Sequence, residues 1–204
     1  MALLLSIHPV NPQPRLIQQV AQAVWAGAVV VYPTDSGYAL GTALGNKSGL
    51  ERIRRIRRLP KHHDFTLMLP DLTHVGMYAK LNNNAFRLLK KVLPGAYTFI
   101  FQGTRDVPRR LLHKNKKTIG IRVSDHSIVQ ALLATLQQPM MSVSLMIEDF
   151  ELFDIADVRA VVEHQVDMIV DAGYCPPEPT TVIDLSNHDI QVVRQGAGDT
   201  SFMI

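Results

Sequence analysis

The chain has 204 residues, 47% of them hydrophobic, and a formal net charge of +3. This length predicts one domain over residues 1–204. The longest apolar runs fall far short of the roughly 20 residues that a membrane helix requires, and no signal-peptide pattern is present, so no membrane partner is expected. Cys175 is the only cysteine, which excludes an intrachain disulfide and predicts a reducing, cytoplasmic location.

The N-terminal part of the chain predicts a strand, a helix and a second strand. Residues 3–7 form a short apolar strand, and Asn11-Pro12 has the residue types of a helix cap and first turn. We expect that helix to stop at Gly27. Residues 29–32 are β-branched or aromatic and predict a buried strand, which Pro33 should end because proline cannot donate to a sheet ladder.

Thr34, Asp35 and Ser36 follow that strand and are flanked by Gly37. A strand that ends in a small polar loop is a common place for a ligand site in α/β proteins. An ordinary strand–turn–strand connection explains the same residues equally well. This segment alone does not decide between a ligand site and a simple turn.

The middle of the chain continues with helices and strands. Ser48 and Glu51 have the spacing of a capping box, and the helix they predict should end at Pro60. Residues 65–69 predict a strand, and Asp71 is expected to begin a short helix. Asn84 is expected to cap the helix after that. A strand over residues 97–101 and a short basic helix over 107–113 follow.

The remainder of the chain predicts mainly strands, over residues 118–123, 140–145, 166–170, 181–185 and 190–194. Asp125 or Ser127 should cap a helix between the first two, and Asp154 a weaker helix before the third. The last two strands should form a hairpin. Because some strands follow one another directly, we predict an α/β fold of α+β type, with one partly parallel sheet flanked by helices.

Positive charge is concentrated in two places. The first cluster contains Arg52, Arg54, Arg55, Arg57, Arg58 and Lys61. The second contains Arg109, Arg110, Lys114, Lys116 and Lys117. Clusters of this kind suit phosphate or nucleic acid, although a solvated surface is the simpler explanation of each.

Several common chemistries lack their motifs. The sequence has no phosphate-binding loop that ends in Lys-Ser/Thr, no dinucleotide glycine fingerprint, no His-Glu-x-x-His and no Gly-x-Ser-x-Gly. No metal site is therefore predicted. What remains are hydroxyl and arginine side chains at strand ends, which favour an anion site. They are Thr34, Ser36, Arg57, Thr66, Arg122, Ser142, Ser144, Thr180, Thr181 and Arg194.

These segments together resemble the YrdC/YciO family of threonylcarbamoyl-AMP synthase-like proteins, in particular its YciO branch. The motifs occur in the family's order and span nearly the whole chain. They are Tyr32-Pro33-Thr34-Asp35, Arg57 to Pro60, Pro94-Gly95-Ala96-Tyr97-Thr98-Phe99, Ile121-Arg122-Val123, Ser142-Val143-Ser144, Thr180-Thr181-Val182-Ile183-Asp184 and Val193-Arg194-Gln195-Gly196. The resemblance implies a twisted mixed sheet around a deep, positively lined, concave cleft.

The resemblance also implies an activity. The synthases use ATP, with Mg²⁺, bicarbonate and L-threonine to make threonylcarbamoyl-AMP and pyrophosphate, and a partner complex then modifies a tRNA adenosine. Family members also bind double-stranded RNA.

The resemblance assigns site residues to two ends of the cleft, and the two basic clusters are expected to contact RNA. The nucleotide end should contain Arg57, Thr118, Ser142, Ser144 and Arg194, with Arg57 and Ser144 as catalytic residues. The end that binds L-threonine or a related acid should contain Thr34, Arg122 and Thr181. RNA contacts are expected from Arg54, Arg55, Arg58, Lys61, Arg109 and Arg110.

The chain departs from the synthase pattern at three places. Arg57-Arg58-Leu59 replaces Lys-x-Arg, Ser144-Leu145-Met146 replaces Ser-x-Asn, and Met68 stands where a histidine is frequent. Lost donors to the triphosphate are each worth about 1.5–3 kcal/mol, so we expect weak or altered activity. Two hypotheses stay open: an adenylate-forming enzyme, and a non-catalytic RNA-binding protein of the translation apparatus.

Overall fold

The computed structural model describes residues 1–60, 63–148, 150, 152–187 and 189–201. These residues form ten strands: β1 Leu3–Ser6, β2 Val30–Thr34, β3 Gly37–Ala43, β4 Thr66–Met68, β5 Tyr97–Gln102, β6 Thr118–Arg122, β7 Met140–Ser144, β8 Met168–Asp171, β9 Thr181–Asp184 and β10 Gln191–Arg194. They also form six α-helices: α1 Pro14–Trp25, α2 Lys47–Ile56, α3 Leu72–Tyr78, α4 Asn83–Val92, α5 Ser127–Leu136 and α6 Ile155–Val162. A 3-10 helix covers Arg109–Leu111.

All ten strands join one sheet in the order β1-β8-β2-β3-β7-β4-β6-β5-β9-β10. Parallel pairs (β1 with β8, β2 with β8, β4 with β6, β5 with β9) are mixed with antiparallel pairs. The mixed sheet flanked by helices confirms the predicted fold class. Among the residues that the structure describes, no helix combines the length and the apolar character needed to cross a membrane.

Each face of the sheet packs against its own set of helices. One face contributes residues such as Leu40, Leu67 and Ile121 to a core with side chains of α2, α3, α4 and α6. The opposite face contributes Tyr32 and Met140 to a second core with α1 and α5. Because strand residues alternate between faces, the two cores interleave along the sequence.

Two predicted helix caps, Asp71 and Asp154, are confirmed, and the others are wrong by one or two residues. Asn46, not Ser48, caps α2 by accepting from the Gly49 N–H at 3.0 Å. Asn82, not Asn84, caps α4. His126 caps α5 through Nδ1, in place of Asp125 or Ser127. Each of these caps directly precedes its helix, and several nearby side chains could have supplied the acceptor.

Two further predictions near the N-terminus are wrong. Helix α1 begins at Pro14 instead of at Asn11-Pro12, and Gln13 at its cap position makes no side-chain bond. Pro33 lies inside β2 and pairs with Tyr38. The hairpin closes at the pair Thr34 and Gly37, so Pro33 falls in a pair that exchanges no backbone hydrogen bonds. Its missing N–H therefore costs no bond to β3.

Candidate active site

The site lies where one sheet face loses its helical cover. Helices α1 and α5 cover Tyr32, Met68 and Met140, and beyond these residues the same face is open. A cavity of about 240 Å³ occupies this opening, and we call it the cleft. Its lining comes from β4, β5, β6, β7, β9 and β10 and from the chain after α2, and includes Arg57, His63, Asp64, Thr66, Thr98, Arg122, Ser142, Ser144, Met146, Thr180 and Arg194.

A second cavity of about 250 Å³ extends the cleft along the sheet. The two share Asp64, Thr66, Thr98 and Val182 in their linings. Gly120 lies on its floor, where a Cβ would come within 3.0 Å of Thr66 Oγ1. A larger residue at position 120 would therefore fill part of this cavity. Thr118, predicted for the nucleotide, lines this second cavity and not the cleft.

Arg122 is a buried cation on the wall of the cleft. Its Nη2 donates to Asp35 Oδ1 at 2.8 Å and its Nη1 to Ser36 Oγ at 2.9 Å. The side chains of Arg122 and Asp35 are only 7% and 8% exposed. Ser124 also donates its hydroxyl to Asp35 Oδ1. Because a buried charge needs a partner, Asp35 is what keeps Arg122 in place.

The β2–β3 turn supplies both partners of Arg122. Thr34 Oγ1 donates to the Gly37 carbonyl at 2.7 Å and accepts from the Ser36 N–H at 3.1 Å. Gly37 has φ of +97°, a conformation that glycine adopts without strain. The Thr34 hydroxyl thus shapes the turn that presents Asp35 and Ser36, and it does not line the cleft.

The polar end of β7 forms another wall. Ser142 Oγ and the Tyr32 hydroxyl lie 2.6 Å apart in the buried boundary between cleft and core. Burial raises the pKa of Tyr32 to about 12, so this phenol stays neutral. Ser144 is half-buried at the rim and makes no such contact with Tyr32.

Arg57 follows the C-terminus of α2 and points into the cleft. Its Nε is buried and has no hydrogen-bond partner among the described residues. Burial lowers the pKa of Arg57 from its usual value, because desolvation disfavours the charged form. His63 lies nearby, and burial and the neighbouring Arg57 lower its pKa. An anion in the cleft would relieve both costs.

Thr181 and Arg194 connect the C-terminal segment to the cleft. The fully buried Thr181 hydroxyl donates to the Gly198 carbonyl at 2.7 Å and accepts from the Gly196 N–H at 2.9 Å. Arg194 donates from Nη2 to the Thr180 carbonyl at 2.9 Å and lines the cleft. Thr181 therefore fixes the segment that follows Arg194, from behind the cavity wall.

A basic groove adjoins the cleft at His63 and Asp64. It is lined by Arg54, Arg109, Arg110, Lys114 and Lys117. Arg54 stacks over the Phe65 ring at 5.5 Å and pairs with Glu51 at 2.8 Å. Of the other residues predicted to contact RNA, Arg55 and Arg58 are exposed and do not line this groove, and Lys61 lies outside the described residues.

The structure thus brings Arg57, Arg122, Ser142, Ser144 and Arg194 together around one cavity. Thr118 lines the adjoining cavity. Thr34 and Thr181 lie behind the cavity walls and hold the segments that form them. The site list from the sequence missed Asp35, His63, Asp64 and Thr98. The alternation of side chains along a strand could have indicated Thr98, because it points to the same face as Thr66 and Ser142. The role of Asp35 could not be predicted in this way, because it depends on β6 lying near the β2–β3 hairpin. Among the described residues, no three acidic, histidine or cysteine side chains are grouped to hold a metal.

Two solved structures resemble this chain in fold. Escherichia coli YciO is 52% identical over 195 residues, which is 95% of each chain, and its crystal structure matches with a TM-score of 0.94 over 98% of each chain. The structure of P. abyssi Sua5 complexed with L-threonine matches with a TM-score of 0.87 at 21% identity, over 96% of this chain and 58% of that one. This second match shows the shared fold.

The family follows from the sequence comparison. A family model named for Sua5, YciO and YrdC, with the description telomere recombination, matches residues 22–196. The chain therefore belongs to the Sua5/YciO/YrdC family, and the resemblance noted from its motifs is confirmed. The threonylcarbamoyl-AMP synthase of Vibrio vulnificus (strain YJ016) is a more distant relative, 30% identical over 131 residues, which is 63% of this chain and 70% of that protein.

Proposed function

We propose that the cleft binds ATP and a small-molecule acid, and that the protein carries out a weak or altered form of threonylcarbamoyl-AMP synthesis in the cytoplasm. In that reaction ATP, bicarbonate and L-threonine, or a related acid, give an acyl-adenylate, pyrophosphate and water. The product would serve the modification of tRNA to threonylcarbamoyladenosine. The family relationship to the synthases supports this class of chemistry.

The convergence of three arginines on one cavity carries the proposal. Arg57, Arg122 and Arg194 all line the cleft, and Ser142 and Ser144 add hydroxyls between them. Guanidinium groups bind phosphate and carboxylate through paired hydrogen bonds. A wall of fixed donors also stabilises the charge that develops during adenylation, without a protein nucleophile.

The two ends of the cleft suit the two ligands. Arg57, Ser144 and Arg194 would hold the triphosphate, with Ser142 beside them and Thr118 in the adjoining cavity. Arg122, oriented by Asp35 and Ser36, would hold the carboxylate, and Thr34 and Thr181 would shape that end from behind. Magnesium bound to ATP needs few protein ligands because phosphate oxygens and water supply most of them, and Asp64 is a carboxylate within both cavities.

Pyrophosphate release tests the enzymatic hypothesis. ATP, Mg²⁺, bicarbonate and L-threonine are supplied together and with each omitted in turn, and the Arg57→Ala variant is the matched control. We expect slow release that requires every substrate and disappears in the variant, because Arg57 contacts the leaving phosphates. Release by the variant at the wild-type rate would remove Arg57 from the mechanism.

Non-catalytic binding of double-stranded RNA or tRNA is the second candidate function, and the basic groove favours it. Five cationic side chains line this groove next to the cleft. RNA affinity that falls steeply with salt, without pyrophosphate release under any condition, would support this function. Arg109→Ala together with Arg110→Ala should flatten the salt dependence, whereas Arg105→Ala, an exposed arginine outside the groove lining, should not.

A further inference from the structure

A mainly apolar cavity opens from the side of the cleft, and the function proposed above places no ligand inside it. Its volume is about 350 Å³, larger than that of the cleft itself. We call it the annex, and its walls include Tyr38, Met146, Phe150, Leu152, Phe153 and Pro177. Cavities that enclose whole small molecules begin at roughly 300 Å³.

The annex and the cleft share a mouth. Arg57, Ser144 and Met146 line both cavities. Ser36, which accepts from Arg122 Nη1 at 2.9 Å, lines the annex as well. An acid whose carboxylate reaches Arg122 therefore has open space for its other end beyond Met146.

Away from the shared mouth, where Arg57 and Ser144 lie, the described walls of the annex offer almost no free polar group. The Tyr38 hydroxyl donates to the Gly173 carbonyl at 2.8 Å, so this hydroxyl already has a partner. Phe153 is held edge-on against Tyr174, and Leu152 is part of the hydrophobic core. The Ser36 hydroxyl is already bonded to Arg122 and Thr34. Glu148 lines the annex and is itself exposed.

Two large apolar side chains of the annex remain unusually open to water. Met146 is 55% exposed and Phe150 is 56% exposed. Burying such surface is favourable in proportion to its apolar area. An apolar group in the annex would cover the surface that these two side chains present to it, whereas a hydroxyl placed deep in it would lose its hydrogen bonds to water.

We propose that the annex receives the side chain of the acid substrate, and that this acid is an α-amino acid with a branched aliphatic or aromatic side chain, such as leucine or phenylalanine. This inference rests on the proposed function, since it assumes that the acid's charged end lies in the cleft. The threonine side chain is too small to fill the annex, and its hydroxyl finds few partners there. Each additional methylene that such a pocket buries is worth about tenfold in selectivity or more.

Competitive ranking of amino acids tests the proposal directly. Binding of L-leucine, L-phenylalanine and L-threonine to the full chain is measured by calorimetry with ATP and Mg²⁺ but without bicarbonate. We expect leucine or phenylalanine to bind at least about tenfold more tightly than threonine. The Phe150→Ala variant should lose most of this advantage, and Phe86→Ala should keep it, because Phe86 is 46% exposed on α4 and lines neither cavity.

Methionine methyl resonances give a second readout that is independent of affinity and of catalysis. Met146, assigned with Met146→Leu, should shift when leucine is added. Met77 is 51% exposed on α3 and should not shift. Threonine should move the Met146 signal much less than leucine does.

The outcomes separate this inference from the function on which it rests. If threonine ranks first while Arg194→Ala still weakens ATP binding by more than about tenfold, the assignment of the cleft is supported and the annex proposal is overturned. A leucine advantage that Phe150→Ala leaves intact, or an unmoved Met146 signal at saturation, overturns it as well. If neither ATP nor any amino acid binds, the proposed function and the inference fall together.

Discussion

One face of the sheet serves two purposes along its length. At the β8, β2 and β3 end, α1 and α5 cover it, and its residues are apolar, as at Val30 and Tyr32. At the β4, β6, β5 and β9 end none of the described helices covers it, and the outward residues become Thr66, Thr98 and Arg122. We call these two regions the covered half and the open half.

The hydrophobic core and the candidate site of this fold lie on directly neighbouring strand positions. Met68 and Arg122 are direct neighbours in the register of β4 and β6, and Met68 also pairs with Met140. Apolar cover therefore stops within one strand spacing of a buried cation. The covered half contributes to the hydrophobic core, and the open half forms a cavity that the described residues leave unfilled.

The strongest test of this division compares Asp35→Ala with Leu132→Ala. The first leaves Arg122 buried without its partner and should cost about 3–5 kcal/mol of unfolding free energy. The second opens a cavity under α5 and should cost about 2–5 kcal/mol. Both losses are measured by denaturant unfolding.

Ligand binding distinguishes these two variants. Asp35→Ala should also weaken binding of the acid, because Asp35 orients the Arg122 guanidinium. Leu132→Ala should bind acid and ATP normally at temperatures where it is folded, since Leu132 is fully buried in the core of the covered half. Weakened ligand binding in folded Leu132→Ala would show that the two halves are coupled.

Arg194→Ala and Ser144→Ala should each weaken ATP binding by more than about tenfold, which is about 1.4 kcal/mol. Both side chains line the cleft, and removing either takes a donor from the triphosphate. Stability should change little, because Arg194 is exposed and Ser144 is half-buried. Calorimetric titration with ATP measures the change, and unaltered affinity in both variants would rule out the nucleotide end as assigned.

A smaller effect should come from Gln137, which ends α5 with φ of +53° and ψ of +24°. Residues with a Cβ atom are sterically strained in this left-handed region, so Gln137→Gly should stabilise the protein by about 0.5 kcal/mol. Gln130→Gly, inside the same helix, should instead destabilise by about 1 kcal/mol. ATP affinity should be unchanged in Gln137→Gly, because α5 belongs to the covered half.

The smallest effect concerns pH. Since folding lowers the pKa of His63 below its usual value, this residue reduces stability as the pH falls through 6.5. A bound polyphosphate would favour the imidazolium and raise that pKa, so ATP should bind about twofold more tightly at pH 6 than at pH 7.5, the size of a partly exposed ion pair. Calorimetry in buffers of different ionisation enthalpy should detect proton uptake that His63→Gln removes.

Sequence reasoning predicted the secondary-structure elements and the residues that line the cleft better than it predicted the residues that hold those lining residues in place. Alternation and motif order located Arg122, Ser142 and Ser144, because these depend on one strand at a time. Asp35 was not selected, since its role comes from the pairing order that brings the β2–β3 turn beside β6. The annex was also missed, because Phe150 and Pro177 meet Tyr38 only through tertiary structure.

The position of Arg194 has a consequence for local stability. Its strand, β10, is the last of the sheet, pairs with β9 alone among the described strands, and has every residue exposed. Edge strands with little buried surface open far more often than the interior of a sheet. The amide hydrogens of β10 should therefore exchange quickly in the free protein and slowly with ATP bound. One arginine of the cleft would then sit on a segment that the nucleotide itself helps to order.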